Sequence, residues 1–339
     1  MRIRTPRKKS KPRKRKKQIG RKRRLIQASP KIIMNPAELG EARPMEAIHE
    51  AEAEGNKAET GQHAGFMEGY AKGYQEGKYA GGEEIIDQLL PPNIVFPDLS
   101  LKQIIAAGVG LHMEQAIPLM LPEQVRDAIL QAMEEKRPLS IVRLGDGELL
   151  TMAQEIVMPV DQVRREGKFL EYAGVKVPDL EIRNRLVEAV TGADIVGIPR
   201  TRMPNYQLLV SPVFQAYGLS LREKQWTDSL INYSLCTAGC LLPILQNRRI
   251  LLIGNMAEPL SAVLANRGLS VAGVVSPVNG ARDAARVAAL ARQYEFDIAL
   301  VSAGIAAVLI TEELARVTGK VAIDFGHLAN ALIKGEAPL

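Results

Sequence analysis

The run Arg143-Leu144-Gly145-Asp146-Gly147-Glu148 holds the residue types and spacing best able to do chemistry. In an extended or turning backbone, side chains two positions apart project to the same side, so Asp146 and Glu148 can share one target. Gly145 and Gly147 let a ligand come close to the main chain. Two neighbouring carboxylates repel a phosphate but hold a hard divalent cation, and Mn2+ or Mg2+ held there can bridge to a diphosphate. The chemistry implied is metal-assisted work on a phosphorylated substrate, with Asp146 and Glu148 as metal ligands. The same residues also spell an ordinary turn. Asp-Gly is a frequent turn dipeptide, and a glutamate in the first turn of a helix suits the macrodipole. Spacing leaves both readings open.

The elements needed to position this run are legible around it. Ser140-Ile141-Val142 is β-type and Leu149, Leu150 and Met152 are helix-like, which makes a strand, a tight turn and a helix start. Further strand-like runs are expected at 140–144, 194–198, 249–253, 270–275, 297–301 and 320–323. Helical periodicity is expected at 122–135, 179–190, 257–266, 281–294 and 306–317. Aliphatic strands alternating with helices predict an α/β domain, a Rossmann-like, doubly wound, mainly parallel sheet covered on both faces. Such sheets place their ligands beyond the carboxyl ends of the strands, where Asp146 and Glu148 fall.

Other strand ends were weighed the same way. Arg249–Gly254 is followed by Asn255-Met256-Ala257, so the glycine-rich dinucleotide fingerprint fails and a nicotinamide-dependent Rossmann enzyme is disfavoured. Pro277 and Asn279 close another strand, where Asn279 can meet a base or ribose or simply make a turn. Ser302-Ala303-Gly304 can offer backbone amides to a phosphate at a helix start. The absence of a Gly-x-Ser-x-Gly elbow makes Ser302 a poor nucleophile. Asp324-Phe325-Gly326-His327 ends the last strand, and His327 can serve there as metal ligand, diphosphate donor, base or structural residue. Arg200 and Arg202 can neutralise phosphate, and Asn232 and Tyr233 can reach a sugar or base. His49, His63 and His112 have no comparable context.

Charge divides the 339 residues unevenly. Fifteen of the 44 lysines and arginines lie between Met1 and Leu25, where there is no acid, so the net +6 describes a tail on an acidic body. Residues 1–30 are expected to be a disordered basic tail making weak contact with polyanions through residues 1–25. The absence of aromatics there speaks against specific single-strand recognition.

Residues 31–100 read as a linker holding a repeat in which Gly61, Gly65, Gly69, Gly73, Gly77 and Gly81 recur every four residues. On a helix these form one ridge open to close backbone approach, a route to a homo-oligomer; a flexible glycine linker is the alternative. The repeat resembles the glycine-repeat helices of flagellar and type III secretion stator proteins. Residues 101–121 read as a helical lead-in packed on the front of the domain at 122–335. Cys236 and Cys240 are too few for a disulfide framework and read as core thiols in a reducing compartment. The positive start has no apolar segment after it, and the longest apolar run, 298–310, is too short for a transmembrane segment, so a cytoplasmic location is expected.

Arg143-x-Gly145-Asp146-Gly147-Glu148, the Pro277-x-Asn279 turn, the Ala303-Gly304 turn and the closing Asp324-x-Gly326-His327 together resemble the GT-D type bacterial glycosyltransferases over roughly residues 122–333. The resemblance implies a metal-dependent glycosyltransferase of hexosyltransferase type that moves a sugar from a nucleotide-diphospho-sugar, a UDP-sugar, to a glycan or protein-linked acceptor. It implies that Asp146 and Glu148 bind Mn2+ or Mg2+ and the donor diphosphate, with Arg143, Gly145, Gly147 and Gly304 around it. Pro277 and Asn279 would approach the nucleotide, and Asp324 and His327 would close the site, with His327 a candidate base. The segment Ser229–Leu235 departs from the family's pattern, so donor sugar and acceptor do not carry over. The alternative is a non-catalytic sugar-nucleotide-binding scaffold tethered by its basic tail to an envelope polymer or nucleic acid.

Overall fold

The structure, a computed structural model, describes residues 57–339, with side chains from Met67 onward. The basic tail, His49 and the side chain of His63 lie outside the described residues. The described residues fall into two compact units, divided between Leu101 and Lys102. In the first, helix α1 (Lys57–Lys78) carries the glycine repeat and passes through a π-helical turn at Tyr79–Glu83 into α2 (Glu84–Leu89). Helix α3 (Leu101–Leu111) ends ten residues earlier than the expected lead-in and buries none of its residues.

The second unit is a sheet of seven strands. Helix α4 (Pro122–Glu134) starts with proline at its first position, where the missing N–H has no partner to lose, and the Gln124 side chain accepts from Leu121 N at 2.8 Å. There follow β1 (Leu139–Arg143), α5 (Asp146–Ala153), α6 (Val160–Glu166), α7 (Leu180–Gly192), β2 (Ile195–Ile198), α8 (Gln207–Ala216) and β3 (Gln225–Asp228). The chain continues through α9 (Ile231–Thr237), α10 (Leu241–Leu245), β4 (Arg249–Gly254), α11 (Ala257–Asn266), β5 (Ser270–Val275) and α12 (Ala284–Ala291). It closes with β6 (Ile298–Ser302), α13 (Ala306–Thr318), β7 (Val321–Asp324) and α14 (Leu328–Lys334). Every pairing is parallel, in the order β3-β2-β1-β7-β6-β4-β5.

Alternation along the strands sorts the core into two layers, as a doubly wound fold requires. Leu139 and Ile141 of β1 join the cluster with α4, α9, α10, α11 and α14, whereas Val142 joins the one with α5, α7, α8, α12 and α13. Ser140 is pinned to β2 by Asp194, whose Oδ2 accepts from Ser140 N at 2.7 Å and Oγ at 2.8 Å. Edge strand β3 is not among the expected strands, because Gln-Trp-Thr-Asp has no aliphatic run; it is recruited by pairing with β2 and by Thr227, which donates to Met120 O at 3.0 Å. Cys236 and Cys240 are buried free thiols.

Candidate active site at the carboxyl ends of the strands

β1 and β7 are neighbours at the middle of the sheet, so the motifs that follow them meet. The Arg143 guanidinium lies beneath this junction. Its Nε donates to Asp324 O at 3.0 Å, Nη2 to Asp324 Oδ1 at 2.9 Å, and Nη1 to Ser229 O at 3.1 Å and Asn232 Oδ1 at 3.3 Å. Asn232 donates in turn to Phe325 O at 2.8 Å. The arginine therefore ties β1, β7 and the start of α9 together.

Two glycines border it. A Cβ at Gly197 would press on Asp228 O and Ser229 Cα, each at 3.0 Å, and on Arg143 Cγ at 3.2 Å, and one at Gly326, whose φ is +53°, would overlap the guanidinium itself. Arg143, expected around the donor diphosphate, and Asp324, expected to close the site, pair with each other here, because a buried charge requires a partner more than an exposed one does. Asn232 likewise supports this floor, and Tyr233 packs against the α9-side core.

Gly145 precedes α5 and Asp146 opens it. The Glu148 carboxylate turns back so that Oε2 accepts from Gly145 N at 2.8 Å, the geometry of a helix cap. The turn reading of the motif is therefore met in Glu148, which caps the helix that carries it. Burial of the carboxyl, reinforced by the charge of Asp324 and opposed by the Gly145 amide and Arg143, raises its pKa to about 7. Burial also raises Asp324, against the pull of Arg143. Asp146 points elsewhere: Oδ1 accepts from Gly147 N at 2.9 Å and Oδ2 from the Tyr206 hydroxyl at 3.2 Å.

Tyr206 ends the loop after β2 and was not singled out in the sequence, where nothing in Asn205-Tyr206-Gln207 marks it. Its phenol is raised by burial, then by the Asp146 charge. Beside it Asn205 Oδ1 is buried without a hydrogen-bond partner. In the same loop Arg200 is exposed and lies 3.9 Å from Asp228, and Arg202 donates to Gln207.

The remaining candidates spread along the sheet. His327 is exposed at the head of α14, and Gly304 is exposed after β6. Pro277 and Asn279 follow β5, four strand spacings from β1, about 19 Å at the level of the strands. They are not in contact with Asp146 or Glu148. The Asn255 side chain holds their loop, accepting from Val278 N at 2.8 Å and donating to Val278 O at 3.2 Å.

Residues 167–178, unread in the sequence, form a strap that links these places. Phe169 Cε2 stands 3.4 Å from the Cβ position of Gly147, Ala173 O 3.8 Å from that of Gly304, and Gly174 packs on Gly280. Arg282 fastens the far end, donating to Asp179 Oδ2 at 3.0 Å and Oδ1 at 2.9 Å.

For a divalent cation the donor chemistry fits. Arg143 bonds Asp324 and its charge also reaches Glu148, so this guanidinium is shared by two carboxyls, while Asp146 and Glu148 offer hard oxygens at the head of α5. Among the described residues no three acidic, histidine or cysteine side chains converge into a cage. Two carboxylates are the number with which Mg2+ keeps water and takes further ligands from a phosphate.

A family profile described as a GT-D fold-like domain matches residues 120–332. Two solved structures share a fold-level likeness at 15% identity and a TM-score of 0.44, each covering 65% of this chain and 82% of its own. One is described as a selenomethionine-substituted domain of unknown function 1792, the other as that highly conserved domain with a distinct glycosyltransferase fold. No curated protein matches.

Proposed function

The chain belongs to the GT-D-like family, and from that premise we propose that it is a metal-dependent glycosyltransferase using a UDP-sugar donor and a glycan or protein-linked acceptor. The observation that carries the reading is the acid at the head of α5: Asp146 and Glu148 stand above a floor in which Arg143 is already paired with Asp324. Asp146 and Glu148 would hold Mn2+ or Mg2+, which when bound neutralises charge on the departing diphosphate.

The chain's own residues do the rest. Arg143 and Asp324 fix the strand ends from below and so hold the α5 head in place. Exposed Arg200 supplies positive charge for the diphosphate, and the unpartnered Asn205 Oδ1 accepts from a donor-sugar hydroxyl. Exposed His327 takes the acceptor hydroxyl's proton. Asn279, held by its loop, meets the nucleotide across the strap. Pairing of chains through Gly61–Gly81 and polyanion contact by residues 1–25 complete the reading. Among the described residues no helix is long and apolar enough to cross a membrane.

Calorimetric titration of UDP with and without Mn2+ tests it. Wild type should bind UDP at least tenfold tighter with the ion, and Asp146→Asn should lose that gain. Equal affinity with and without Mn2+ in wild type would overturn the metal dependence. Mass spectrometry across a panel of sugar nucleotides would then show transfer or hydrolysis; binding without turnover of any donor would point to the scaffold instead.

A further inference from the structure

Tyr206 is the one phenol whose hydroxyl meets a proposed ligand carboxylate, and neither the motifs nor the family match assigns it a role. Its hydroxyl donates to Asp146 Oδ2 at 3.2 Å, while the opposite oxygen, Oδ1, accepts from Gly147 N at 2.9 Å. The carboxylate is thus gripped at both oxygens, once by the helix that carries it and once by a loop from the neighbouring strand. Each oxygen retains a lone pair after accepting one hydrogen bond, so the grip orients the group without filling it. Carboxylates that ligate metals are held in this way, and loss of the outer partner typically lowers metal affinity 10–100-fold.

We infer that Tyr206 is the positioning residue of the cation site: it sets the rotamer of Asp146 and thereby couples the loop at 199–206 to the head of α5. This rests on the metal reading above and adds to it the residue that organises the site from outside the motif. The loop is suited to the task. Tyr206 is half-buried, whereas Arg200, Thr201, Arg202, Met203 and Pro204 before it are exposed, so the loop is anchored at this residue and open elsewhere.

The test titrates MnCl2 into the full chain, without nucleotide, for wild type, Tyr206→Phe and Tyr217→Phe. Tyr217 is the control, because its hydroxyl also braces α5, donating to Met152 O at 2.7 Å, but at the far end from Asp146. Tyr206→Phe should weaken Mn2+ binding at least tenfold, leave the melting temperature within a few degrees, and leave UDP affinity in excess chelator unchanged. Tyr217→Phe should keep Mn2+ affinity within twofold. Unchanged or tighter Mn2+ binding in Tyr206→Phe, or an equal loss in Tyr217→Phe, would overturn the inference while leaving the cation site standing. A wild type that binds no Mn2+ would remove the cation site and this role together.

Discussion

Glycine answers to opposite demands in the two units. Beneath the crevice, Gly197 and Gly326 are dictated by their neighbours: the Arg143 guanidinium with its four hydrogen bonds leaves no volume for a Cβ at Gly326, and Asp228 O, Ser229 Cα and Arg143 Cγ crowd the one at Gly197. Along α1 and the π-helical turn after it, Gly69, Gly73, Gly77 and Gly81 have nothing within 4 Å of where a Cβ would stand. Tyr70 and Tyr74 on that helix are 61% and 60% exposed and stack on each other with ring centroids 6.5 Å apart. The first set is explained by this chain's own packing. The second costs about 0.8–1.0 kcal/mol of helix stability per glycine relative to alanine, and the described residues give nothing in return.

Gly326→Ala should therefore have the largest effect. The new methyl must displace the guanidinium, leaving the buried Asp324 carboxylate without its partner, and alanine at φ +53° adds its own strain. A loss of about 3–5 kcal/mol, read from urea unfolding, is expected from breaking one side of a buried ion pair. A loss below about 1 kcal/mol would mean that the floor is loosely packed and that the contrast between the two glycine sets does not hold.

Glu148→Gln sharpens the same contrast, because it asks whether the packed floor carries more acid than it can neutralise. The folded-state pKa of about 7 lies above the ordinary glutamate value of 4.5. Between those values the folded protein binds the extra proton, so the stability this group contributes is present below pH 4.5 and is lost as pH rises through 7. Glutamine keeps an oxygen for the Gly145 amide and removes the charge. Relative to wild type the variant should be neutral to slightly destabilised at pH 4.5 and gain on it progressively up to pH 8, by a few kcal/mol at most. Urea midpoints at pH 4.5, 6 and 8 measure this. A gap that does not change with pH would show that Glu148 titrates normally.

How far the sequence foretold this depended on what each residue had to contact. Strands β1, β2, β4, β5, β6 and β7 were legible within a residue or two, because a parallel sheet covered on both faces needs unbroken aliphatic runs. β3 was not, since an edge strand of four residues owes its existence to pairing rather than to composition. In the site, the proximity of the Gly-Asp-Gly-Glu and Asp-x-Gly-His motifs follows from their both ending central strands. The inward turn of Arg143 does not follow from them, for it depends on Ser229 and Asn232 in the segment that departs from the family's pattern. The strap at 167–178 and Tyr206 left no trace, because their contacts are side chain to backbone or to one distant carboxylate, which no periodicity records.

The smallest effect, and the one of opposite sign, belongs to α1. Gly69→Ala, Gly73→Ala and Gly77→Ala place methyls in open space on a helix, so each should raise local stability by about 0.8–1.0 kcal/mol. Amide hydrogen exchange across residues 67–78 reads this directly, as slower exchange in the triple variant. If the ridge exists for close approach by a second copy, the same methyls obstruct that approach, and sedimentation velocity should show less dimer as protection within the helix rises. Monomer helix and assembly then move in opposite directions, which plain helix propensity cannot produce. Slower exchange with an unchanged sedimentation profile would leave the glycines without an assembly role, and the exposed Tyr70–Tyr74 stack would be the next surface to vary.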